Sequence, residues 1–474
     1  MCYNITKNTK PTMKHHLMGS YLGSYFQTAW GMLYISARSF IERRKLKIGR
    51  KLNTEKGTIL RGVILFFIVS TQLSWANGFR NPPEGATGVG RIGGKIADVD
   101  DPSAISLNPA NLTEIQKPAA LAAITALYAD ATFRSATGQM TTTKQPLKAL
   151  PNLYGAWPLR DGKYVLGLGI TTPFGQSTVW GKNSIFRFPI PWYAALTVVD
   201  INPTFAAKLT DTLSVGVGAD VFLSRLDSRQ FFNWTTLTGD PSDSNGDARF
   251  LADGTGFGGN LGITWKFAER QKLAVTYRSA VDVEYDGTFH LTNVPPPVKL
   301  PAAFQGVTSA SGYHAGIMFP SIVTIGYGIQ ATDTLRLGAD IEWVQFSTHN
   351  TLRSDIENDN VLQTSTSTHE SWRDIWTIGW GADWKLRKGW ILRWGYQYLQ
   401  SPIPDKTFSP TLPDANKHLA SVGIGYTYKR HTFEASYAET FAEQRTIGNN
   451  ETAAFNGTYN LNSHIMALSY RYSF

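Results

Sequence analysis

The chain has 474 residues, with 45 Lys and Arg against 36 Asp and Glu, a formal net charge of +9. Residues 1–76 hold 12 of the basic and 2 of the acidic residues, so the rest of the chain is close to neutral. That balance gives no basis for a phosphate-binding surface or a nucleic-acid partner. The single cysteine is Cys2, which excludes a disulfide scaffold, a cysteine zinc site and a cysteine nucleophile from everything after it.

The chain begins with the pattern of a presequence that ends in a signal peptide. Basic residues precede a short apolar h-region at about residues 62–70, and small residues at Ser74 and Ala76 indicate cleavage before Asn77. The alternative is a transmembrane helix, but the apolar run is far shorter than the roughly 20 residues needed to span a bilayer. For residues 1–50, two explanations stay open: a start assigned too far upstream, or a genuine long presequence.

A glycine pattern follows the predicted cleavage site. Gly88, Gly90 and Gly93 spell G-x-G-x-x-G, which in dinucleotide-binding proteins follows a buried strand and opens a helix. Here the preceding residues, NGFRNPPEG, contain two prolines and no β-branched run, so they form a poor strand. We therefore interpret the motif as a flexible glycine-rich turn, and we expect no cofactor.

From about residue 119 the dominant signal is an alternation of apolar and polar residues with period two, typical of β-strands. A soluble sandwich also alternates. Strands of about ten residues, apolar faces that end in Trp or Tyr, and short turns alternating with long polar loops favour a membrane barrel. Fourteen candidate strands are found, at 121–136, 148–158, 163–172, 196–208, 213–226, 256–268, 272–290, 318–330, 334–350, 368–386, 389–400, 417–428, 431–442 and 460–474.

The last strand, MALSYRYSF, alternates strictly and ends on Phe474, like the assembly signal of bacterial outer-membrane barrels. We expect the barrel-assembly machinery to recognise it and outer-membrane lipid to surround it. Residues 77–118 have a poor strand pattern, and a plug inside the lumen is their natural place. The predicted fold is all-β: a transmembrane antiparallel β-barrel of about 14 strands at 119–474, plugged by a small N-terminal hatch, in a Gram-negative outer membrane.

Two stretches carry a specific resemblance, GATGVGRIGGKIADVDDPSAISLNPANLTEI in the hatch and SPIPDKTFSPTLPDANKHLASVGIGY late in the barrel. They resemble the FadL/TodX family of long-chain fatty-acid and hydrophobic-compound transporters. Asn111 departs from the family's usual Gly, which is mild because Asn tolerates left-handed backbone. The resemblance covers essentially all of 77–474. The hatch residues that carry it are Asp98, Asp100, Asp101, Asn108, Pro109, Ala110 and Leu112.

This resemblance implies passive uptake of long-chain fatty acids or other hydrophobic compounds. Substrate would be captured at outer loops, pass a hatch-gated interior, and leave sideways through the barrel wall near the third strand. A general diffusion porin and a structural or adhesive barrel are the rival functions. An enzyme is not expected, because the scattered histidines form no H-E-x-x-H and no G-x-S-x-G is present.

The uptake route described above suggests candidate residues for each of its steps, and none of them is proposed as a metal ligand. For the gating hatch they are Asn108, Pro109 and Ala110, with a plain structural turn as the alternative. For the lateral gap they are Gly167 and Gly169, with ordinary lumen-facing glycines as the alternative. For substrate capture they are Phe231, Phe232, Trp234, Phe304, Ile317 and Phe319, with an aromatic girdle as the alternative. For a carboxylate head group they are Arg278, Arg336 and Arg393.

Overall fold

The computed structural model describes residues 78–360 and 363–474. The predicted presequence, with its h-region and cleavage site, lies outside the described residues. Within the described ranges, 21 strands join into one sheet. No helix in those ranges is long and apolar enough to cross a membrane.

The short helices lie mainly in the N-terminal segment and in loops. They are α1 (Gly85–Gly90), α2 (Ala104–Leu107) and α3 (Thr235–Thr238), with 3-10 turns η1 (Pro109–Glu114), η2 (Pro297–Lys299), η3 (Ala302–Phe304), η4 (Phe346–Thr348), η5 (Arg387–Gly389) and η6 (Ala453–Phe455).

The strands follow one another in antiparallel order from residue 119 onward. They are β1 (Ala119–Ser135), β2 (Met140–Thr142), β3 (Leu147–Leu159), β4 (Tyr164–Thr171), β5 (Gly175–Val179), β6 (Tyr193–Lys208), β7 (Leu213–Phe232), β8 (Gly246–Ala268), β9 (Gln271–Arg278), β10 (Val281–Leu291), β11 (Ala310–Phe319), β12 (Ile322–Gln330), β13 (Leu335–Val344), β14 (Thr351–Asn360), β15 (Gln363–His369), β16 (Ile375–Lys385), β17 (Trp390–Leu399), β18 (Lys417–Tyr428), β19 (His431–Ala442), β20 (Arg445–Ile447) and β21 (Gly457–Ser473).

The sheet closes on itself, because β1 pairs with β21 along its whole length, from Ala119 opposite Ser473 to Ser135 opposite Gly457. Five wall strands are interrupted and count as two segments each: β4–β5, β9–β10, β11–β12, β13–β14 and β15–β16. The short β2 and β20 only extend hairpins. The wall therefore has 14 antiparallel strands, which confirms the predicted fold.

The two faces of the wall differ as a membrane requires. On β16, Trp376, Ile378 and Trp380 point outward and are about half exposed. The inward-facing Thr377 is buried, as is Asp383 farther along the strand. Outward apolar residues meet hydrocarbon, and the ladder pairs the backbone of the wall where the strands are uninterrupted.

Several strands were predicted too short at their outer ends. β8 begins at Gly246 and β11 at Ala310, so stretches that the sequence suggested were loops are paired strands. Here the outward face is charged, as at Asp282, Glu284 and Asp286 of β10. Beyond the lipid, outward residues need not be apolar, so the alternation that predicts membrane strands is lost there.

The segment 78–118 lies inside the barrel. Its helix α1 contacts β1, β17, β18, β19 and β21, whereas η1 contacts β4, β6, β7 and β8 on another part of the wall. The G-x-G-x-x-G motif is not wholly the flexible turn that was predicted, because Gly88 and Gly90 are buried in helix α1. Its third glycine is needed for packing: a Cβ on Gly93 would lie 2.6 Å from the backbone of Gly379 on β16. Gly94 adopts a positive φ of +65° at the same turn. Glycine is required because backbone meets backbone here.

Candidate functional site

The hatch turn is built around the fully buried Asn108, at the junction of α2 and η1. Its Oδ1 accepts a hydrogen bond from the Ala110 amide (3.2 Å). Its Nδ2 donates to the Ile96 carbonyl (2.9 Å) and to Thr264 Oγ1 on β8 (2.9 Å). A single side chain thus closes the turn, ties it to the preceding hatch segment, and fixes it to the wall.

Pro109 and Ala110 press against a glycine of the barrel wall. A Cβ on Gly216 of β7 would lie 2.6 Å from the Ala110 amide nitrogen. Real Cβ atoms do not approach that closely, so the wall must have glycine where this turn packs. The predicted triplet therefore faces the wall at β7 and β8, and its role in gating stays a prediction.

A cluster of buried charges joins another part of the hatch to the wall. Asp383 of β16, fully buried, accepts hydrogen bonds from Arg91 of the hatch (2.9 Å), Arg336 of β13 (2.5 Å) and Arg393 of β17 (3.1 Å). Arg336 also pairs with Asp100 of the hatch at 2.9 Å. Charged groups at this depth are stable only when paired in this way.

The predicted head-group arginines are therefore already occupied. Arg393 has a second carboxylate partner, Glu434, at 2.8 Å. Arg278 lies between Asp200 (3.1 Å) and Asp220 (3.5 Å). The structure places all three residues, Arg278, Arg336 and Arg393, in internal ion pairs, and Arg278 also lines a cavity between hatch and wall. Their role in binding a head group stays a prediction.

An apolar chamber lies above the hatch, and the ring of Phe79 fills it. The centroid of that ring lies 5.3 Å from those of Phe319 and Trp372, and 5.6 Å from that of Phe346. Phe174 closes another side at 6.1 Å. Only about 30 Å³ of space is left beside these rings. The chamber has the lining that a hydrocarbon ligand needs.

His349 lies at the edge of this chamber, in the loop after β13, with its ring centroid 5.0 Å from that of Phe79. Burial lowers the pKa of its imidazole to about 4. The ring is therefore neutral at pH 7 and adds no charge to the chamber.

The predicted capture residues are mostly inside the molecule. Phe231 and Phe232 at the outer end of β7 are partly exposed, and Phe231 stacks on Trp192 at 6.0 Å. The remaining four are buried: Trp234, Phe304, Ile317 and Phe319. The expectation of an exposed aromatic cluster is wrong for these four. Ile317 and Phe319 belong to the wall strand β11 and are buried, and Trp234 and Phe304 lie in loop segments that pack into the core. Ile317 and Phe319 instead line the chamber region.

The third wall strand is interrupted at residues 172–174. β3 pairs with β4 only from Leu153 onward, and β5 pairs with β6. Across the described residues, no ladder joins Leu147–Asn152 of β3 to Gly175–Val179 of β5. We call this unpaired stretch of wall the wall break.

The N-terminal residues cover the inner side of the wall break. The Gly175 amide donates to the Phe79 carbonyl (2.7 Å), and the Asn81 amide donates to the Pro173 carbonyl (3.0 Å). The segment that places Phe79 in the chamber therefore also satisfies backbone groups that the interruption leaves unpaired. Chamber and wall break are adjacent and share this segment.

Gly167 and Gly169 do not form the wall break. Both lie in β4 where it pairs continuously with β3 and β6. A Cβ at either position would lie 2.9 Å from Ile105 of the hatch, so the glycines make room for that side chain. They lie a few residues before the wall break, and their role in a lateral gap stays a prediction. Pro173, which lacks an N–H, is the sequence signal that marks the interruption.

A second cavity, of about 110 Å³, lies lower, between hatch and wall. Charged groups line it, among them Arg80, Lys95 and Glu342. Arg80 binds Glu342 across it through two hydrogen bonds. Such a lining suits water better than a hydrocarbon chain. No grouping of His, Cys, Asp and Glu in the described ranges could hold a metal ion.

Comparison with known proteins gives consistent results. Residues 67–474 match the family described as "Outer membrane protein transport protein (OMPP1/FadL/TodX)". A long-chain fatty acid transport protein of Escherichia coli O6:H1 is 25% identical over 397 residues, covering 76% of this chain and 85% of that relative. The crystal structure of a Pseudomonas aeruginosa FadL homologue superimposes with a TM-score of 0.73 at 21% identity, covering 84% of this chain and 100% of that one. The crystal structure of the Ralstonia pickettii toluene transporter TbuX superimposes with a TM-score of 0.64 at 19% identity, covering 83% of this chain and 99% of that one.

Proposed function

The chain belongs to the OMPP1/FadL/TodX family of outer membrane transport proteins, and from this premise we propose that it is a channel for passive uptake of long-chain fatty acids or other hydrophobic compounds. The family is one of transporters and not of enzymes. Relatives and structural neighbours are named for long-chain fatty acids and for toluene. The adjacency of an apolar chamber to the wall break is the observation that carries the proposal for this chain.

The proposed route starts at the partly exposed Phe231 and Phe232 on the outer rim. From there a hydrophobic molecule enters the chamber by displacing the ring of Phe79. It leaves sideways, between β3 and β5, into the outer-membrane lipid. Phe79 belongs to the segment that bonds to the edge of the wall break, so entry into the chamber and opening of the wall are linked.

Lateral exit is the physically favourable choice for such a substrate. Each buried CH₂ group is stabilised by roughly 0.8 kcal/mol relative to water. A chain that crossed an aqueous pore into the periplasm would lose that free energy at every methylene. The charged cavity between hatch and wall offers no dry path downward.

The hatch gates this route in the proposal. The triplet Asn108, Pro109 and Ala110 fixes the hatch to β7 and β8, and the Asp383 cluster fixes it to β13, β16 and β17. A hatch held at both places keeps the lumen closed while substrate uses the wall. The C-terminal strand ending at Phe474 is proposed to guide assembly of the barrel.

A general diffusion porin, or an adhesive barrel, is the alternative function. A porin needs an open lumen, whereas the segment from residue 78 to 118 is largely buried within this one. An adhesin needs no chamber adjoining an interrupted wall. These features favour the hydrophobic channel.

Uptake by cells lacking their own transporter tests the proposal. We would express the intact chain, or a variant without Asn108, Pro109 and Ala110, and supply labelled oleate, an alkane and a monoaromatic. Equal amounts of heat-modifiable barrel in the outer membrane serve as the control for assembly.

We expect uptake of at least one hydrophobic compound by the intact chain and its loss in the hatch variant. Equal passage of small sugars through both proteins would identify a porin. No uptake of any probe by a correctly assembled barrel would support a structural role.

A further inference from the structure

A lysine at the wall break is buried without an internal counter-charge. Lys148 of β3 lies within the stretch that does not pair with β5, and its side chain is 2% exposed. Its Nζ reaches across the wall break and donates to Ser177 Oγ of β5 at 3.3 Å. Among the described residues, no carboxylate pairs with it.

This situation contrasts with that of the buried arginines. Arg91, Arg336 and Arg393 share Asp383, and each has a further carboxylate beside it, Asp98, Asp100 and Glu434 respectively. Burying an ammonium group against a single hydroxyl leaves most of its lost hydration uncompensated. A cation in such a place is explained if something else supplies the negative charge.

The β5–β6 pair and the edge of the wall break carry two further buried polar atoms without a hydrogen-bond partner. Thr197 lies on β6 diagonally across from Ser177, on the same face of the hairpin. Its Oγ1 is buried without a hydrogen-bond partner, and so is that of Thr172 at the edge of the wall break. Buried hydroxyls are normally satisfied, so these point to a polar group that visits the site.

We propose that Lys148, with the hydroxyls of Ser177 and Thr197, forms a carboxylate-binding subsite in the wall break and makes the channel selective for anionic amphiphiles such as free fatty acids over neutral hydrocarbons. The inference rests on the proposed function and narrows its substrate class. The carboxylate pauses at the lysine while the tail is already in lipid or still in the chamber. Both positions keep the methylene groups dry.

The test compares two substrates that differ only in charge, oleate and methyl oleate. Lys148→Met removes the cation at similar volume, and Lys148→Arg keeps it. Lys144→Met is the matched control, because Lys144 lies in the same hairpin with an exposed side chain. Uptake would be measured in cells with equal amounts of folded barrel, alongside equilibrium binding of oleate to the purified protein in detergent.

We expect Lys148→Met to reduce oleate uptake and binding about tenfold, the worth of one charge-assisted hydrogen bond. Uptake of methyl oleate stays unchanged, and both Lys148→Arg and Lys144→Met behave like the wild type. Equal losses for oleate and its ester, or no loss for either, would overturn the inference while leaving the channel proposal intact. If the wild type transported neither compound and bound no oleate, both this inference and the channel proposal would be overturned.

Discussion

At the scale of single residues, Asp383 is the carboxylate at the centre of the ion pairs that join the hatch to the wall. Its carboxylate accepts hydrogen bonds from arginines on three different segments. Removing this carboxylate leaves buried arginines with one counter-charge fewer and no access to water, which costs more than losing a surface ion pair. The Asp383 cluster is therefore more sensitive to substitution than an ion pair on the surface.

Asp383→Asn should lower the free energy of unfolding by about 3 kcal/mol, because three guanidinium groups lose their shared partner. Chemical denaturation of the barrel in lipid vesicles, followed by tryptophan fluorescence, measures the change. Asp333→Asn is the control: its carboxylate pairs with Arg270 at 2.7 Å in an exposed turn. There we expect a change below about 1 kcal/mol. Equal effects would show that the cluster contributes no more than a surface pair.

His314 on the extracellular part of β11 is a second residue-scale case. Hydrogen bonds to Glu357 and then Asp286 raise the pKa of its imidazole. Glu284 and Arg353 form a further pair on the same strands. Because the folded-state pKa is raised, His314 stabilises the barrel fully below its unfolded pKa, near 6.5. That contribution is lost as the pH rises through the folded-state value.

We expect the melting temperature of the wild type to fall slightly relative to that of His314→Gln between about pH 6 and pH 8. The side chain is 44% exposed, so solvent screening keeps the effect small, below about 1 kcal/mol. Thermal melts of both proteins across this range measure it. A difference that grows with rising pH would contradict the assigned direction.

At the scale of elements, alternation predicts the wall strands because lipid imposes an apolar outer face. It fails beyond the lipid, where β8 and β11 continue with polar outward residues. In the sequence, only Pro173 indicates the interruption of the third strand. The glycines of β4 do not, since glycine marks close packing as often as it marks a kink. Which arginine pairs with which aspartate could not be predicted, because Arg91 and Asp383 are 292 positions apart.

Packing of the hatch turn onto β7 gives an element-scale prediction. In Gly216→Ala the new Cβ would lie 2.6 Å from the Ala110 amide nitrogen, so the turn must lift off the wall. We expect ion conductance in planar bilayers to rise as the hatch loosens. Gly181→Ala is the control, because a Cβ there meets nothing within 4 Å. Unchanged conductance in both variants would indicate that the hatch tolerates this displacement without opening the lumen.

At the scale of the whole molecule, three parts make up the sideways path that we propose. The hatch fills the lower lumen, the chamber around Phe79 provides an apolar interior, and the wall break adjoins it. The fold and the hatch's place in it were predictable from patterns and motifs. The chamber was not, because Phe79, Phe319 and Trp372 come from distant parts of the chain and meet only after the barrel closes.

A reversible cross-link across the wall break tests the central claim most directly. Asn152 Oδ1 accepts a hydrogen bond from the Thr172 amide at 3.1 Å, so cysteines at these positions suit a short thiol-specific cross-linker with a cleavable disulfide arm. The chain has no cysteine after Cys2 to interfere. The control pair is Thr427→Cys with Thr432→Cys on β18 and β19, whose hydroxyls lie 3.0 Å apart in continuous sheet.

The measurement is oleate uptake before cross-linking, after it, and after reduction. We predict that uptake stops when the wall break is closed and returns when the linker is cleaved, while the control pair transports throughout. Continued uptake through a fully cross-linked wall break would contradict lateral exit at this place.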